Sequence, residues 1–254
     1  MFVNIIHFLN MVHETAPLTR RERKRNARIN GIIDAAMQIA TQEGLSQVTT
    51  HRLARELDLA VGALYRYFPS KDAIIEAMQR RSMEDYGIAL SQGLDRVRQW
   101  LRDTSHPDNA LVELIALAML YRQLVQELPQ HYHLNNQVMG NPQNVLPGSE
   151  GDRVVETMMD LFRTLAKPVL RAQENGLLLD SVSALDRVIL YWSSLRAVVG
   201  VQKLAAHDTS IDGETLFREM VLTMLRGCGA EAQKLHTAWN LAAQWTQHEK
   251  EGSS

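Results

Sequence analysis

Residues 49–71, TTHRLARELDLAVGALYRYFPSK, constrain the fold of this 254-residue chain more than any other feature. Two short apolar patterns of helical spacing meet there at a three-residue break, and the second is rich in aromatic residues. Thr49 is suited to cap the first helix, and Pro69 and Ser70 end the second. This arrangement predicts a helix-turn-helix, in which one helix enters the DNA major groove and the other braces it.

The surrounding sequence resembles the tetracycline-repressor (TetR) family of one-component regulators. The resemblance begins near Ile32, in IIDAAMQIATQEGLSQVTT, and runs through LAVGALYRYFPSKDAII to Ile75. The positions that match the family pattern are Gly62, Leu64, Tyr65, Tyr67, Phe68, Ser70 and Lys71. Asp58 stands where the family usually has Gly, and Ala60 stands where it usually has a capping Ser. Because a lost cap costs about 1 kcal/mol, we expect the recognition helix to fray more than in relatives.

Helical periodicity without a strand pattern predicts an all-α fold with two functional domains. We expect a helix-turn-helix DNA-binding domain at residues 20–80 and a helical ligand-binding and dimerisation domain at residues 81–254. Residues 1–19 are predicted to be a disordered extension or to result from a start upstream of the natural one, with translation beginning at Met11. The segment MFVNIIHFLN lacks the features of a secretory signal and is too short to span a bilayer.

The apolar periodicity predicts a series of helices separated by Gly- and Pro-containing segments. They span about 21–42, 71–98, 109–128, 151–175 with a kink or break at Pro168, 183–205, 212–226, and a last amphipathic helix through 235–245. Residues 130–150 are predicted to form a polar loop of the kind that often serves as a lid. Within it, His131 and His133 suggest a metal site, but no further Cys/His cluster supports one, and a solvated loop is favoured.

Charge is unevenly distributed along the chain. Residues 1–80 carry 11 Lys/Arg and 8 Asp/Glu, whereas residues 81–254 carry 16 and 21. The basic excess is concentrated in Arg20, Arg21, Arg23, Lys24, Arg25 and Arg28. A flexible basic arm ahead of a helix-turn-helix can reach phosphates or the minor groove, although a solvated surface run is the alternative. The single Cys228 excludes an internal disulfide and fits a reducing compartment, so we expect a cytoplasmic protein.

The candidate DNA-contacting residues lie on or near the two helices of the motif. They are Arg28, Thr49, His51, Arg52, Val61, Gly62, Ala63, Tyr65, Arg66, Tyr67 and Lys71. A helix start such as that at Thr49 can hold a phosphate, and Arg66 is the best candidate for a base-edge donor. The resemblance implies that Tyr65, Tyr67 and Lys71 contact phosphates. Core packing is the alternative for Tyr65, and a solvated position is the alternative for Arg66.

The resemblance also implies a homodimer in which the last two family helices build a four-helix interface. Here these helices are residues 183–205 and 212–226. The expected interface residues are Leu195, Val199, Leu216, Met220, Val221 and Met224. A two-fold dimer predicts a palindromic operator in double-stranded DNA, and a thick monomeric core is the alternative.

The apolar helices at 111–128 and 154–169 are predicted to wall a cavity for a small apolar effector. The candidate lining residues are Leu114, Ala118, Met119, Tyr121, Met158, Met159, Phe162 and Trp192. Methionine side chains adapt to varied ligands, although plain core packing is the alternative at each position. No cofactor, metal or membrane partner is predicted.

The sequence therefore predicts a one-component transcriptional regulator, a repressor that a small apolar ligand releases from a palindromic operator. One alternative is a DNA-binding regulator that answers to a protein partner instead of a small molecule, or that acts as an activator. A helical enzyme is the alternative of another class. No phosphate-cradling Gly loop, nucleophile motif or pair of metal ligands stands out in the sequence to favour it.

Overall fold

The computed structural model describes residues 19–104, 109–139, 148–201, 205 and 207–251. All regular structure in these ranges is helical and no strand occurs in them, which confirms the predicted all-α fold. The predictions for residues 1–18, including the start at Met11, lie outside the described residues. Among the helices in these ranges, none combines the length and the apolar character that crossing a bilayer requires.

Short connections join the helices that precede the first gap. These helices are α1 (Arg20–Glu43), α2 (Thr50–Glu56), α3 (Val61–Leu64) and α4 (Lys71–Asp103), with a 3₁₀ turn at Leu45–Gln47 between α1 and α2. The remaining helices are α5 (Ala110–Glu127), α6 (Pro129–Met139), α7 (Gly148–Leu165), α8 (Lys167–Glu174), α9 (Ala184–Val201), α10 (Gly213–Gly227) and α11 (Ala232–Glu251).

The prediction of a polar loop over residues 130–150 is wrong for much of its length. Helix α6 occupies Pro129–Met139 and α7 begins at Gly148, while residues 140–147 lie outside the described residues. Pro129 explains the error. A proline tolerates the first position of a helix because its missing N–H would have no partner there, so Pro129 ends one helix and also begins the next. The predicted break at Pro168 is confirmed, because α7 ends at Leu165 and Pro168 lies in the first turn of α8.

Residue contacts divide the chain into two compact units. Within the described residues, the N-terminal unit comprises 19–86 and 125–159, and the C-terminal unit comprises 87–124 and 160–251. Helix α4 therefore contributes residues to both units. This division groups α6 with the helices that precede residue 80, and the predicted domain boundary at residue 80 stays a prediction.

A single apolar core holds the N-terminal unit together. Helix α1 contributes Ile32, Ala36 and Ile39 at helical spacing, and Leu53 of α2 and Leu64 of α3 are completely buried against them. The same core includes Phe68, Ile74 and Met78, together with Leu134 of α6. Both helices of the helix-turn-helix are thus anchored by buried side chains from α1, α4 and α6.

The C-terminal unit is built around α5, most of whose residues are buried. Glu113 on this helix is completely buried. Its carboxylate accepts a hydrogen bond from Arg98 Nε at 2.8 Å and forms a second ion pair with Arg171. Two guanidinium groups therefore offset the cost of burying this charge. Tyr191 donates its hydroxyl to the Leu114 carbonyl at 2.9 Å, which links α9 to α5.

Helix α11 has the amphipathic character predicted for it. Leu235, Ala238, Ala242 and Trp245 are buried and recur at intervals of three or four residues. Arg96 Nε also donates to Glu249 at 2.8 Å, so that an ion pair joins the end of α11 to α4.

Candidate nucleic-acid interface

The turn between α2 and α3 is closed by local hydrogen bonds. The Thr49 hydroxyl accepts a hydrogen bond from the Arg52 backbone N–H at 3.1 Å, which confirms Thr49 as the cap of α2. Asp58 has φ of 51°, in the left-handed region that Gly enters most easily and Asp tolerates better than most residues. The Leu59 N–H then donates to the Ala54 carbonyl at 2.8 Å. Asp58 in place of the family's usual Gly therefore preserves the turn.

The recognition helix α3 is shorter than predicted. Only Val61–Leu64 are α-helical, and Tyr65, Arg66 and Tyr67 follow as a turn. Ala60 occupies the cap position and makes no side-chain hydrogen bond there. The first N–H groups of α3 therefore lack the side-chain acceptor that a capping Ser would supply.

The recognition segment, Val61–Tyr67, separates anchoring residues from exposed ones. Leu64 is completely buried, and Phe68, which follows the segment, is 7% exposed. By contrast, Tyr65 is 50% exposed and Arg66 is also exposed. Tyr67 lies between these extremes because its ring packs partly against the core. The structure therefore does not bear out core packing for Tyr65, which remains available to a binding partner.

None of the eleven predicted DNA-contacting residues is buried. The exposed ones are Arg28, Thr49, His51, Gly62, Tyr65 and Arg66, and the half-buried ones are Arg52, Val61, Ala63, Tyr67 and Lys71. Arg52 pairs with Glu43 at 2.8 Å and with Glu56, and the hydrogen bonds to these carboxylates raise the pKa of its guanidinium. Because two carboxylates already neutralise its charge, Arg52 is a weaker candidate phosphate ligand than the sequence predicts.

The basic run at residues 20–28 belongs to the first turns of α1. Thr19 and Glu22 form a capping box: the Thr19 N–H donates to Glu22 Oε2 at 2.8 Å, and the Glu22 N–H donates to Thr19 Oγ1 at 3.3 Å. The six basic side chains of this run are exposed. The prediction of a flexible arm is therefore wrong for these residues, whereas their positive charge remains open to solvent.

The eight residues predicted to line an effector cavity fall into both units. Leu114, Ala118, Tyr121 and Phe162 are buried in the C-terminal unit, Met119 and Trp192 are half-buried there, and Met158 and Met159 are half-buried residues of the N-terminal unit. Within the C-terminal unit, Phe162 and Trp192 meet edge to face, with ring centroids 5.3 Å apart. The apolar cavity itself stays a prediction.

The six residues predicted at the dimer interface also differ in exposure. Leu195, Val199 and Val221 are buried inside the C-terminal unit, so that they contribute to its own core and offer no surface to a partner. Leu216 is 41% exposed, and Met220 and Met224 are half-buried. The apolar surface of α9 is instead formed by residues that the sequence reasoning missed, foremost Leu190, which is 55% exposed.

A polar cavity in the N-terminal unit was not predicted. It has a volume of ≈420 Å³ and lies among α1, α4 and the segment at the start of α6. Its lining residues are Asp34, Met37, Gln38, Thr41, Gln42, Arg81, Asp85, Leu128, Gln130 and His131. The recurrence of polar residues at 34, 38, 41 and 42 of α1 was a signal for a solvated groove, whereas nothing in the sequence pairs Asp85 with His131.

His131 is a buried helical residue, and the prediction of a solvated loop is wrong for it. Its Nε2 lies 3.0 Å from Asp85 Oδ2, and its ring stacks on Tyr86 with centroids 5.9 Å apart. Arg81 Nε donates to the same carboxylate at 3.0 Å. Within the part of the chain that the structure describes, no group of three or more His, Cys, Asp or Glu is arranged to hold a metal ion.

The helical fold and the exposed recognition segment define a protein of the helix-turn-helix class. Residues 32–78 match the family described as bacterial regulatory proteins, tetR family. The match places the helix-turn-helix region of the chain, from α1 into α4, within this family.

Curated relatives match the chain over part of its length. Nucleoid occlusion factor SlmA from Haemophilus ducreyi is 38% identical over 69 residues, which are 26% of this chain and 34% of SlmA. The HTH-type transcriptional repressor KstR from Mycolicibacterium smegmatis is 38% identical over 65 residues, 26% of this chain and 29% of KstR. The chain thus spans about a third of the length of these relatives.

The fold likeness extends over most of the chain. The transcriptional regulator FadR from Bacillus subtilis, solved in complex with stearoyl-CoA, superposes with a TM-score of 0.56 and 15% identity, covering 77% of this chain and 97% of FadR. At this identity the likeness concerns the fold alone.

Proposed function

We propose that this protein is a dimeric, DNA-binding transcriptional regulator, a repressor that leaves a palindromic operator when a small apolar ligand binds. The recognition segment carries this proposal. It exposes Tyr65 and Arg66 while Leu64 and Phe68 fix it in a core. Groove recognition needs this combination, because an unanchored helix would lose its alignment with the base edges. The name of KstR as a transcriptional repressor supports repression.

Sequence recognition in this proposal depends on few polar side chains. Arg66 is the only Lys or Arg in the recognition segment, and Val61 and Ala63 offer apolar contacts to thymine methyl groups. Specificity therefore depends partly on DNA shape and deformability. The exposed positive charge of residues 20–28 adds a sequence-independent attraction to phosphates, which added salt weakens.

For the dimer, we propose an interface on the outer face of α9 and α10. Leu190, Ser194, Ala197 and Val201 recur at intervals of three and four residues, none of them is buried, and they form one stripe on α9. Helix α9 packs on α10, with Ser194 Oγ 3.6 Å from Met224 Sδ. Together with Leu216 and Met220 of α10, this stripe provides exposed and half-buried apolar side chains for contact with a second copy. A two-fold dimer built this way requires a palindromic operator.

Effector binding is proposed for the C-terminal unit. The Phe162–Trp192 pair and Met119 supply aromatic and thioether surface suited to an apolar molecule. The stearoyl-CoA complex of FadR supports an acyl chain as one such ligand class. A ligand shifts the DNA-binding population only by its difference in affinity between the two conformations.

The DNA-binding proposal is tested with the full chain and duplexes selected from random sequence. We expect Lys71→Ala to weaken binding to all sequences and to reduce the slope of log affinity against log salt by about 1, because it removes one phosphate contact. Arg66→Ala should instead relax preference at one base position by about 1–3 kcal/mol. Lys234→Ala, an exposed lysine on α11, is the matched control. Unchanged affinity in both Tyr67→Ala and Lys71→Ala would contradict the assignment.

The interface proposal is tested by light scattering after size-exclusion chromatography. The double variant Leu190→Glu, Leu216→Glu should be monomeric, since it places charges at the centre of the apolar stripe. Val155→Glu, at a comparably exposed position of α7, should remain dimeric. A wild-type monomer would contradict the dimer, and a dimeric double variant would contradict this interface.

A second candidate is a DNA-binding protein that does not respond to a small molecule. SlmA, a nucleoid occlusion factor, matches this chain at the same identity as KstR does, 38% over a stretch of similar length. Thermal-shift measurements with fatty acids and acyl-CoA esters separate the candidates. A concentration-dependent rise in melting temperature together with weaker operator binding supports ligand release, and the absence of both favours the second candidate.

A further inference from the structure

We propose that the ligand of the C-terminal unit is an apolar carboxylic acid, whose carboxylate pairs with Arg196 while its apolar part packs on Trp192. This inference rests on the effector site of the proposed function and names the chemical class of its ligand. Trp192 and Arg196 are one turn apart on α9, and the guanidinium carbon of Arg196 lies 5.2 Å from the centre of the Trp192 ring.

Arg196 lacks the acceptor that the other enclosed arginines of this unit have. The buried or half-buried arginines in the described part of the C-terminal unit are Arg96, Arg98, Arg122, Arg171, Arg187 and Arg196. The first four pair with carboxylates, and Arg187 donates to the Leu179 carbonyl at 2.8 Å. Arg196 has no hydrogen bond or ion pair with any residue that the structure describes. Its positive charge is therefore uncompensated.

The Arg196 guanidinium is also partly withdrawn from water. Its Nη1 atom is enclosed and has no hydrogen-bond partner, whereas its other two nitrogens are not enclosed and the side chain is half-buried as a whole. The Trp192 ring attracts the cation, but the N–H donors lie in the guanidinium plane and still need acceptors. Because partial burial lowers the local dielectric constant, an anion that reaches the accessible nitrogens is held more strongly than one in bulk water.

The enclosed side-chain polar atoms without partners in this unit are all donors. Among the residues described in the C-terminal unit, these atoms are Arg187 Nε, Arg196 Nη1 and Trp245 Nε1. The unit therefore favours a ligand that brings an acceptor. A guanidinium matches the two oxygens of a carboxylate, whose single negative charge balances one arginine, whereas a phosphate monoester carries nearly two charges.

An apolar surface for the rest of the ligand lies beside Arg196. Phe162 of α7 is almost completely buried, and its ring meets Trp192 edge to face at 5.3 Å. Trp192 is half-buried, as is Ile189 one turn before it on the same face of α9. One turn beyond Arg196, Gly200 has no side chain that could cover the guanidinium. From Ile189 to Arg196 this face spans roughly 10 Å, which suits an acid of about eight carbons.

This face of α9 is distinct from the proposed dimer stripe, which contains Leu190, Ser194, Ala197 and Val201. At 3.6 residues per turn, Arg196 lies roughly 130° around the helix from the middle of that stripe. A second copy seated on the stripe would therefore leave Arg196 open to a ligand.

Isothermal titration calorimetry of the full chain without DNA tests the ligand class. The probe is octanoate. Octan-1-ol and octylammonium are the neutral and cationic controls of equal chain length, and propanoate is an acid with almost no apolar part. We expect saturable binding of octanoate, at least tenfold tighter than that of each control. Absence of saturable binding of octanoate at roughly 1 mM, or equal affinity for octan-1-ol, would overturn the proposal.

Variants locate the carboxylate partner. Arg196→Met keeps an unbranched side chain against Trp192 but removes the charge, so it should weaken octanoate binding at least tenfold and change octan-1-ol binding by less than about twofold. Arg196→Lys should recover part of the octanoate affinity, because it restores the charge without the two-pronged geometry. Arg226→Met, at an exposed position of α10, is the matched control and should leave both affinities unchanged. Equal octanoate affinity of the wild type and Arg196→Met, each with a cooperative thermal transition, would overturn the role of Arg196.

Operator affinity measured with octanoate and with octan-1-ol distinguishes this inference from the proposed function. Octanoate binding through Arg196 without any change in operator affinity would support the ligand class and contradict ligand release. Conversely, octan-1-ol that binds as tightly as octanoate and weakens operator binding would support ligand release and overturn the acid as the ligand class.

Discussion

The two units bury a carboxylate in contrasting ways. In the C-terminal unit, completely buried Glu113 lies between Arg98 and Arg171. In the N-terminal unit, Asp85 is held by Arg81 and by His131, and it borders a cavity. The first carboxylate has two partners that are always charged, whereas the second has one such partner and one ring whose free nitrogen remains unpaired.

This difference assigns different roles to the two clusters. A buried carboxylate that is paired with two guanidinium groups cannot readily exchange its partners. Removing either partner would leave an uncompensated charge in a medium of low dielectric constant. A carboxylate beside an open cavity can exchange partners with water or a ligand at lower cost. We therefore expect the Glu113 cluster to contribute more to stability than the Asp85 cluster does.

The largest effect is expected from breaking the Glu113 cluster. The double variant Arg98→Met, Arg171→Met should lower the free energy of unfolding by about 3–5 kcal/mol, because the buried carboxylate loses both counter-charges. Urea denaturation followed by circular dichroism measures the loss. Adding Glu113→Gln to the double variant should recover part of it. A loss below about 1 kcal/mol would show that water reaches Glu113 and that the contrast with Asp85 is absent.

A smaller effect is expected at the Asp85 cluster. His131→Phe keeps an aromatic ring beside Tyr86 but removes the donor to Asp85, so the free energy of unfolding should fall by about 1–2 kcal/mol. The control is His133→Phe at the neighbouring exposed position, which should stay within about 0.5 kcal/mol of the wild type. Equal losses in the two variants would mean that the Asp85–His131 contact contributes nothing to stability.

The smallest effect concerns Asp34 and depends on pH. Desolvation, with a contribution from the Asp85 charge, raises the pKa of the Asp34 carboxyl, and the charges of Arg81 and His131 oppose this. A raised folded-state pKa contributes stability below the unfolded value of about 3.9, and that contribution is lost as pH rises through the folded-state pKa. Asp34→Asn should therefore be more stable than the wild type at pH 7, by less than about 1 kcal/mol because the residue is partly exposed. Urea titrations at pH 7 and pH 3.5 measure this, and a variant less stable at pH 7 would contradict it.

Local signals predicted the features that depend on neighbouring residues. Thr49 caps α2, Asp58 adopts a left-handed turn and Ala60 fails to cap α3, as their side-chain chemistry predicts. The break at Pro168 follows from the missing N–H of proline in the same way. Each of these features is decided within about four residues.

Features that depend on distant residues were not predictable from one sequence. The pairing of His131 with Asp85 joins positions 46 residues apart. Apolar residues of α9 face both the core and the solvent, so periodicity alone did not separate buried Leu195 from exposed Leu190. The α6 segment was mistaken for a loop because its proline and polar residues resemble a turn when the Leu134 contact to the core is unknown.

The place of Leu134 in the N-terminal core restricts how this protein can be re-engineered. A DNA-binding domain excised at residue 80 and fused to a different sensor domain would lack helix α6. This helix begins some 50 residues later in the chain and contributes Leu134 to the core of the N-terminal unit. Such a chimaera would have a vacancy the size of a leucine in the core that also contains Leu53 and Leu64. Transfer of this DNA-binding specificity to another sensor domain will therefore succeed only when helix α6 is transferred together with the helix-turn-helix.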